Sequence, residues 1–351
     1  MVEIKKYINN KYVKKFTGDV FFNTLAFAIY IFAQQICVLP ILARKTDDNL
    51  FSIVVIFISV YSIICNSIGN ELGITRQVRY EEDLDKKVSP YIYDTFIMYA
   101  FPIIAVIAGI ILGLFRFDFL NIISFAFIIA LGNLRLYLAS FFRLKKEFKK
   151  VVLQNIMYTV GLGIGLILFF VLRQVCFPFA CAEICSVLYS IWCSEFSLKH
   201  VMNIQGFKSN YRFVSRTFTD LSLMSLLTNM MVYFDKLVMY PILGAKAVAV
   251  YYAANSMSKA INLIVNPVYG VVLSWLGTST GSKRGAIVGI TQKLNFPVIV
   301  LATAISWPVT YVAIKLLYPQ YFSEAFSMNL PICVSVGFSV ANSITKGVRC
   351  V

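Results

Sequence analysis

Apolar residues run along this chain in long blocks separated by short clusters of charge. Ten blocks stand out, at residues 17–43, 50–73, 92–114, 118–142, 151–172, 174–195, 217–239, 248–276, 286–318 and 326–345. Each is about the length of roughly 20 residues that lets an α-helix cross some 30 Å of hydrocarbon. The pattern predicts an all-α polytopic membrane protein of about ten transmembrane helices.

The polar positions inside the blocks carry a second signal. A lipid-facing helix can be apolar all round, so polar residues at helical spacing mark a face turned to protein or water. In span eight, Asn255, Lys259, Asn262 and Asn266 fall at i, i+4, i+7 and i+11, with Tyr252 one turn earlier. They share one face. Lys259 is near mid-span, where an ammonium costs at least about 2.5–3.5 kcal/mol to insert. Shorter stripes occur in span one (Asn23, Tyr30, Gln34), span two (Ser59, Ser62, Asn66), span four (Asn133, Arg135, Ser140), span six (Glu183, Ser186, Ser190, Ser194) and span seven (Asp220, Ser222, Ser225, Asn229). Stripes of Ser and Asn also serve as glue between helices. Together they predict a polar central cavity whose deepest charges, Arg135 and Lys259, favour anions. Glu183 is the dissenting sign, available as a countercharge to Arg135 or as a proton site.

Composition narrows the class. The chain is 59% hydrophobic and 14% charged, with mean hydropathy +0.75, against about 25% charged residues in soluble domains. The net charge of +15 raises the question of nucleic acid. Its distribution answers it. Of the 32 Lys and Arg, 23 fall in the N-terminal arm, the even-numbered connections and the tail, seven on the opposite side, and two, Arg135 and Lys259, inside spans. Positive loops stay cytoplasmic, which predicts both termini inside and no nucleic-acid partner. The first block follows a basic arm, exceeds a signal-peptide apolar core and lacks a small-residue cleavage site, so it is expected to remain as span one. The eight cysteines are scattered and the single histidine is His200, so the cysteines read as packing residues, with no metal and no cofactor expected. Outer connections are a few residues long and no Walker A pattern appears, which argues against a membrane-bound transferase or ATPase. Gly161, Gly163 and Gly165 sit inside an apolar helix, where glycine permits close packing. No enzyme is expected.

An internal echo organises the rest. Residues 39–45 read LPILARK and residues 240–246 read YPILGAK, with four identities in seven. Each segment closes an outward span, places a proline (Pro40, Pro241) near the outer interface and leads into a polar-striped helix. The offset of 201 residues equals six spans, an even number, which predicts parallel lobes related by an axis along the membrane normal. The expected organisation is a basic cytoplasmic arm (1–16), an N-lobe of spans one to six (17–195), a cytoplasmic connection (196–216) and a C-lobe of spans seven to ten (217–351) that reads as truncated.

These segments resemble a family. The stretch YFDKLVMYPILGAKAVAVYYAA, from Tyr233, with Asp235 and Lys236, is similar to the D-K…L-G…V-G-x-Y-x-x-A signature of bacterial polysaccharide flippases. These export O-antigen and capsule repeat units and belong to the multidrug/oligosaccharidyl-lipid/polysaccharide exporter superfamily. Pro40 and Arg44 in LPILAR, followed by Phe51, resemble that family's opening L-P-x-L-A-R…F-G. Phe141-Phe142-Arg143 with Phe148 resembles its F-R-x-x-x-x-F segment, and LYPQY at 317–321 its L-Y-G-x-x-Y element. Ala249 and Ser52 stand where the family has glycine, and the family has about twelve or more spans.

The resemblance implies translocation of undecaprenyl-pyrophosphate-linked oligosaccharide across the bacterial cytoplasmic (inner) membrane, in lipopolysaccharide or capsule biosynthesis. Lys259, Arg135, Asn255, Asn262, Asn266, Tyr252, Asn66 and Gln34 would line the cavity. It implies ion-gradient drive, with Glu183 and Asp220 the coupling candidates. Expected partners are the lipid-linked oligosaccharide, membrane lipid, and polysaccharide polymerase or chain-length proteins. Two alternatives stand beside it: an ion-coupled multidrug or cation antiporter of the same superfamily, and a degenerate or scaffolding protein of a polysaccharide assembly complex.

Overall fold

The structure is a computed structural model. It describes the backbone of residues 11–80, 83, 91–194, 196, 204–277 and 281–349, and side chains within 18, 21–80, 83, 91–194, 196, 214–256 and 296–341. Among the described residues every regular element is helical. The first run comprises α1 (Lys11–Ile31), a wide π-helical segment (Phe32–Val38) and α2 (Leu39–Lys45). The return is α3 (Asp48–Cys65), a second π segment (Asn66–Asn70) and α4 (Glu71–Val78). Then follow α5 (Tyr91–Leu114), α6 (Phe119–Leu144), α7 (Phe148–Leu172), α8 (Phe177–Cys193), α9 (Ile204–Gly277), α10 (Gly281–Leu317), a 3₁₀ turn (Pro319–Tyr321), α11 (Phe322–Ser327) and α12 (Asn329–Arg349). In hydrocarbon no water can bond an open backbone, and a helix satisfies its own amides.

Among the described residues, seven helical stretches are long and apolar enough to cross a membrane, or eight if the pair Pro319–Ser327 and Asn329–Ala341, bent by 75°, is one span. Multi-pass membrane architecture is therefore shown. Span six is the 17-residue α8, about 26 Å long at 1.5 Å per residue and so just under the hydrocarbon thickness. Spans seven and eight merge into α9, broken only at Gly244, whose φ of 82° and ψ of 176° suit a residue without Cβ. The two echo segments therefore turn differently. The first stays helical through Lys45, while the second breaks at Gly244.

The chain divides into two compact units, residues 1–39 with 52–242, and residues 40–51 with 243–351. In the first, the most buried spans are Asp48–Val78 and Phe119–Leu144, with 78% and 67% of their apolar windows inside the protein, against 22% for Tyr91–Leu114. Small residues make their crossing close. A Cβ on Gly69 would meet the Asn133 backbone at 2.7 Å, and one on Gly132 would strike the Tyr61 ring at 2.5 Å. The Gly69 N–H donates to Asn133 Oδ1 (2.8 Å), and Asn133 Nδ2 donates to the Ile129 carbonyl (2.8 Å). Gly161 and Gly165 of α7 face the backbone of α8 at Cys181–Ala182 and Phe177–Pro178, whereas Gly163 faces open space.

In the second unit, Phe51 packs on Tyr252, Tyr318 and Tyr321, with ring centroids 5.8–6.2 Å apart. Tyr321 donates to Asp48 Oδ1 (2.7 Å) and Arg44 donates to the Leu316 carbonyl. Gly337 of α12 lies against Ile299 and Thr303 of α10.

Candidate functional site

Five helical stretches of the first unit converge on one buried charge network. Arg135, from the middle of α6, donates through Nε to Glu183 Oε2 of α8 (2.9 Å) and through Nη2 to the Tyr61 hydroxyl of α3 (2.9 Å). Tyr61 donates in turn to Glu183 Oε1 (2.5 Å), closing a three-membered ring of charge-assisted hydrogen bonds. The guanidinium also lies over two aromatic faces, 4.7 Å from the Tyr158 centroid of α7 and 5.5 Å from that of Tyr30 of α1. Glu183 is fully buried and Arg135 is 4% exposed. Two ions removed from water this completely hold their charge only because each answers the other.

A polar shell fixes the ring. Gln154 of α7 donates to the Arg135 carbonyl (3.1 Å) and to Ser190 Oγ (2.8 Å), and Ser186 Oγ donates to the Gln154 carbonyl (3.1 Å). The serine stripe of span six thus serves helix–helix packing beside the charge pair. A narrow void adjoins it, lined by Gln34, Phe57, Tyr61, Tyr158, Phe179 and Glu183. Gln34 is 2% exposed and its Oε1 has no hydrogen-bond partner among the described residues. It lies in the first π segment, where the Leu39 N–H reaches back five residues to the Gln34 carbonyl. Wide turns of this kind occur frequently at functional sites. Gln34 and Glu183 thus line one void that is too small to hold a water molecule as it stands.

The other expected site residues lie elsewhere. Asn66, in the second π segment, donates to Asn229 Oδ1 of α9 (3.2 Å), and Ser222 of α9 donates to the Ser67 carbonyl (2.6 Å). Tyr252 belongs to the aromatic cluster around Phe51 in the second unit, and Asn255 is half-buried one turn further on. The side chains of Lys259, Asn262 and Asn266 lie outside the described residues. Asp220 is exposed on α9. Pro40 is buried and Pro241 exposed. Lys236, 1% exposed, is paired with its neighbour Asp235 at 2.9 Å.

Two further ion networks escaped the sequence pattern. Arg76 Nη1 stands 3.5 Å from Asp94 Oδ1 and donates to the Tyr137 hydroxyl (3.1 Å), while Tyr137 donates to Asp94. The Arg76 guanidinium lies 3.8 Å from the centre of the Phe141 ring. Alongside, Arg79 pairs with Asp83 (2.9 Å), Tyr93 donates to Asp83 Oδ2 (2.5 Å), and Arg79 reaches Thr217 of α9 (3.4 Å). In sequence Arg76 and Arg79 count only as loop charge; the one available signal is Asp94, an acid in the first turn of an otherwise apolar span. Among the described residues, Asp94→Ala leaves the Arg76 charge with the Tyr137 hydroxyl and aromatic ring faces but no anion. It is expected to destabilise the protein by about 3 kcal/mol, the lower end for breaking a buried pair, with thermal melting in detergent as the check.

Compared with protein-family models, with curated proteins and with solved structures, the chain matches none.

Proposed function

We propose that the protein is a transporter that moves an undecaprenyl-pyrophosphate-linked oligosaccharide across the bacterial cytoplasmic membrane, with both termini in the cytoplasm and two parallel lobes giving alternating access. The observation that carries this is the Arg135–Glu183–Tyr61 ring inside apolar spans. Apolar packing of similar volume would stabilise such a core at least as well, so a charge triad here needs a use. Sugars and pyrophosphate do not cross hydrocarbon unaided, because their desolvation is prohibitive.

The geometry suggests how the triad would work. Glu183 occupies the guanidinium as a phosphate oxygen would, through a charge-assisted bond to Nε. A proton or cation taken up by Glu183 beside Gln34 would cancel that carboxylate and leave Arg135 uncompensated. The freed guanidinium would then favour the anionic headgroup, coupling ion uptake to cargo binding. Lys259 with Asn255, Asn262 and Asn266 would be the cargo-facing polar stripe of span eight. The serial resemblance of the corner motifs to polysaccharide flippases supports the cargo class, and polysaccharide polymerase or chain-length proteins would be the partners that take up the product.

A second reading has one specific support: Glu183 and the unsatisfied Gln34 oxygen share one void, as a cation antiporter would require. Complementation of a strain blocked in repeat-unit export separates the two. Export restored by the wild type and abolished by Arg135→Gln is the expected result. Export unchanged by Arg135→Gln, with binding of a cationic dye lost in Glu183→Gln, would replace the flippase reading with the antiporter.

A further inference from the structure

We propose that the corner between α6 and α7 is a binding site for a lipid phosphoryl group, anchored by Arg143. The residue ends the candidate span Phe119–Leu144, and the ends of spans lie at the depth of the bilayer headgroups. Five cations gather there, Arg143, Lys145, Lys146, Lys149 and Lys150, against a single acid, Glu147. Glu147 is already held by Lys150 at 2.8 Å.

Exposed lysines at such a place serve topology and need no ligand. Arg143 is different. Its Nε is buried with no hydrogen-bond partner among the described residues. Its only hydrogen bond is a long one from Nη1 to Asn70 Oδ1 (3.4 Å), and no carboxylate lies within ion-pair distance among the described residues. A half-buried guanidinium without an anion is the unbalanced counterpart of Arg135, and buried charges are otherwise paired. The surroundings are built to hold it. Its guanidinium lies 6.0 Å from the Phe27 ring of α1, and Lys149 sits 5.7 Å from the Phe22 ring of the same helix. Lys146 adopts a left-handed φ of 57° and donates its N–H to the Arg143 carbonyl (3.0 Å), so α7 begins close to the end of α6. Two cations thus flank one tight corner, both against aromatic rings of α1. A guanidinium that lacks a carboxylate partner suits a phosphoryl oxygen, and the ammonium adds a point charge.

The ligand class is a phosphoryl anion presented at the headgroup level. Two sources share that chemistry, an anionic phospholipid of the bilayer and the pyrophosphate of a polyprenyl-linked cargo. The inference does not rest on the transport reading, since an anionic lipid would occupy the corner of a non-transporting protein equally well.

Native mass spectrometry of the full chain in neutral detergent tests it, with phosphatidylglycerol, phosphatidylcholine and a polyprenyl pyrophosphate as probes. The wild type is expected to hold phosphatidylglycerol at least about five-fold more tightly than phosphatidylcholine, the effect of one interfacial cation. Arg143→Gln should lose that preference and Arg143→Lys should keep part of it. Displacement of phosphatidylglycerol by polyprenyl pyrophosphate assigns the corner to cargo; retention of phosphatidylglycerol assigns it to bulk lipid, and either supports the site. Equal affinity for the two phospholipids in the wild type overturns it, as does an unchanged preference in Arg143→Gln. If Arg143→Gln does not accumulate, Arg143→Lys and Lys149→Gln are measured instead, and an undiminished preference in both is the contrary result.

Discussion

Glu183→Leu alone is expected to remove most of the folded protein, whereas Arg135→Met with Glu183→Leu together is expected to restore it. The single change leaves the Arg135 guanidinium, 4% exposed, with a phenol and two ring faces and no anion. Leaving a buried charge without its partner costs about 3–5 kcal/mol, a large part of a typical folding free energy. Replacing both ions by apolar side chains of similar volume is neutral or stabilising in comparable cores, by about 1–4 kcal/mol. Thermal melting of the detergent-solubilised variants, with wild type and both single changes in one series, measures the coupling. Independent losses that simply add in the double variant would show that Arg135 and Glu183 do not stabilise each other. The restored double variant is the more informative protein, because it keeps the fold and lacks the charges.

The second large effect is steric. Gly161→Leu and Gly165→Leu should each destabilise the α7–α8 hairpin by about 3 kcal/mol, the upper end for an overpacked interior. A Cβ at Gly161 would meet the Cys181 carbonyl at 2.5 Å and Ala182 Cα at 2.6 Å, and at Gly165 it would strike Phe177 and Pro178. These neighbours are backbone, so no rotamer change relieves the clash and the helices must part. Parting them also pulls Glu183 from Arg135. Gly163→Leu is the internal control: nothing lies within 4 Å of its Cβ position, and its effect should stay within about 0.5 kcal/mol. Equal losses at all three positions, read by melting temperature, would mean that the losses do not arise at the α7–α8 contact, since leucine is the better helix former at each.

How far the sequence anticipates this structure depends on the range of the interaction. The apolar blocks are visible because crossing hydrocarbon demands about twenty consecutive apolar residues whatever the neighbours do. The stripe containing Glu183, Ser186 and Ser190 is visible because helical period alone places those residues on one face, and the structure packs that face against Arg135 and Gln154. Long-range pairings carry no such mark. Tyr61 and Glu183 are 122 residues apart, and no local pattern announces that a span-two tyrosine closes the ring. Arg76 and Asp94 straddle a connection, and both read as interface charge until the helices are packed. The π segments at Phe32–Val38 and Asn66–Asn70 are hidden for another reason. A wide turn shifts the register of everything beyond it, so a strict 3.6-residue count misplaces Gln34 and Asn66 relative to their own helices. The echo of residues 39–45 in 240–246 is legible as sequence, yet its two corners differ, because only the second carries the glycine that turns at a positive φ.

The central claim is that the Arg135–Glu183 ring serves translocation and not stability. The most direct test reconstitutes wild type and the Arg135→Met/Glu183→Leu protein in vesicles. It follows a fluorescent polyprenyl-pyrophosphate-linked oligosaccharide from one leaflet to the other by access to an external quencher. The account predicts rapid exchange with the wild type, and exchange no faster than in protein-free vesicles with the folded double variant. Wild-type exchange rates in the folded double variant would contradict it.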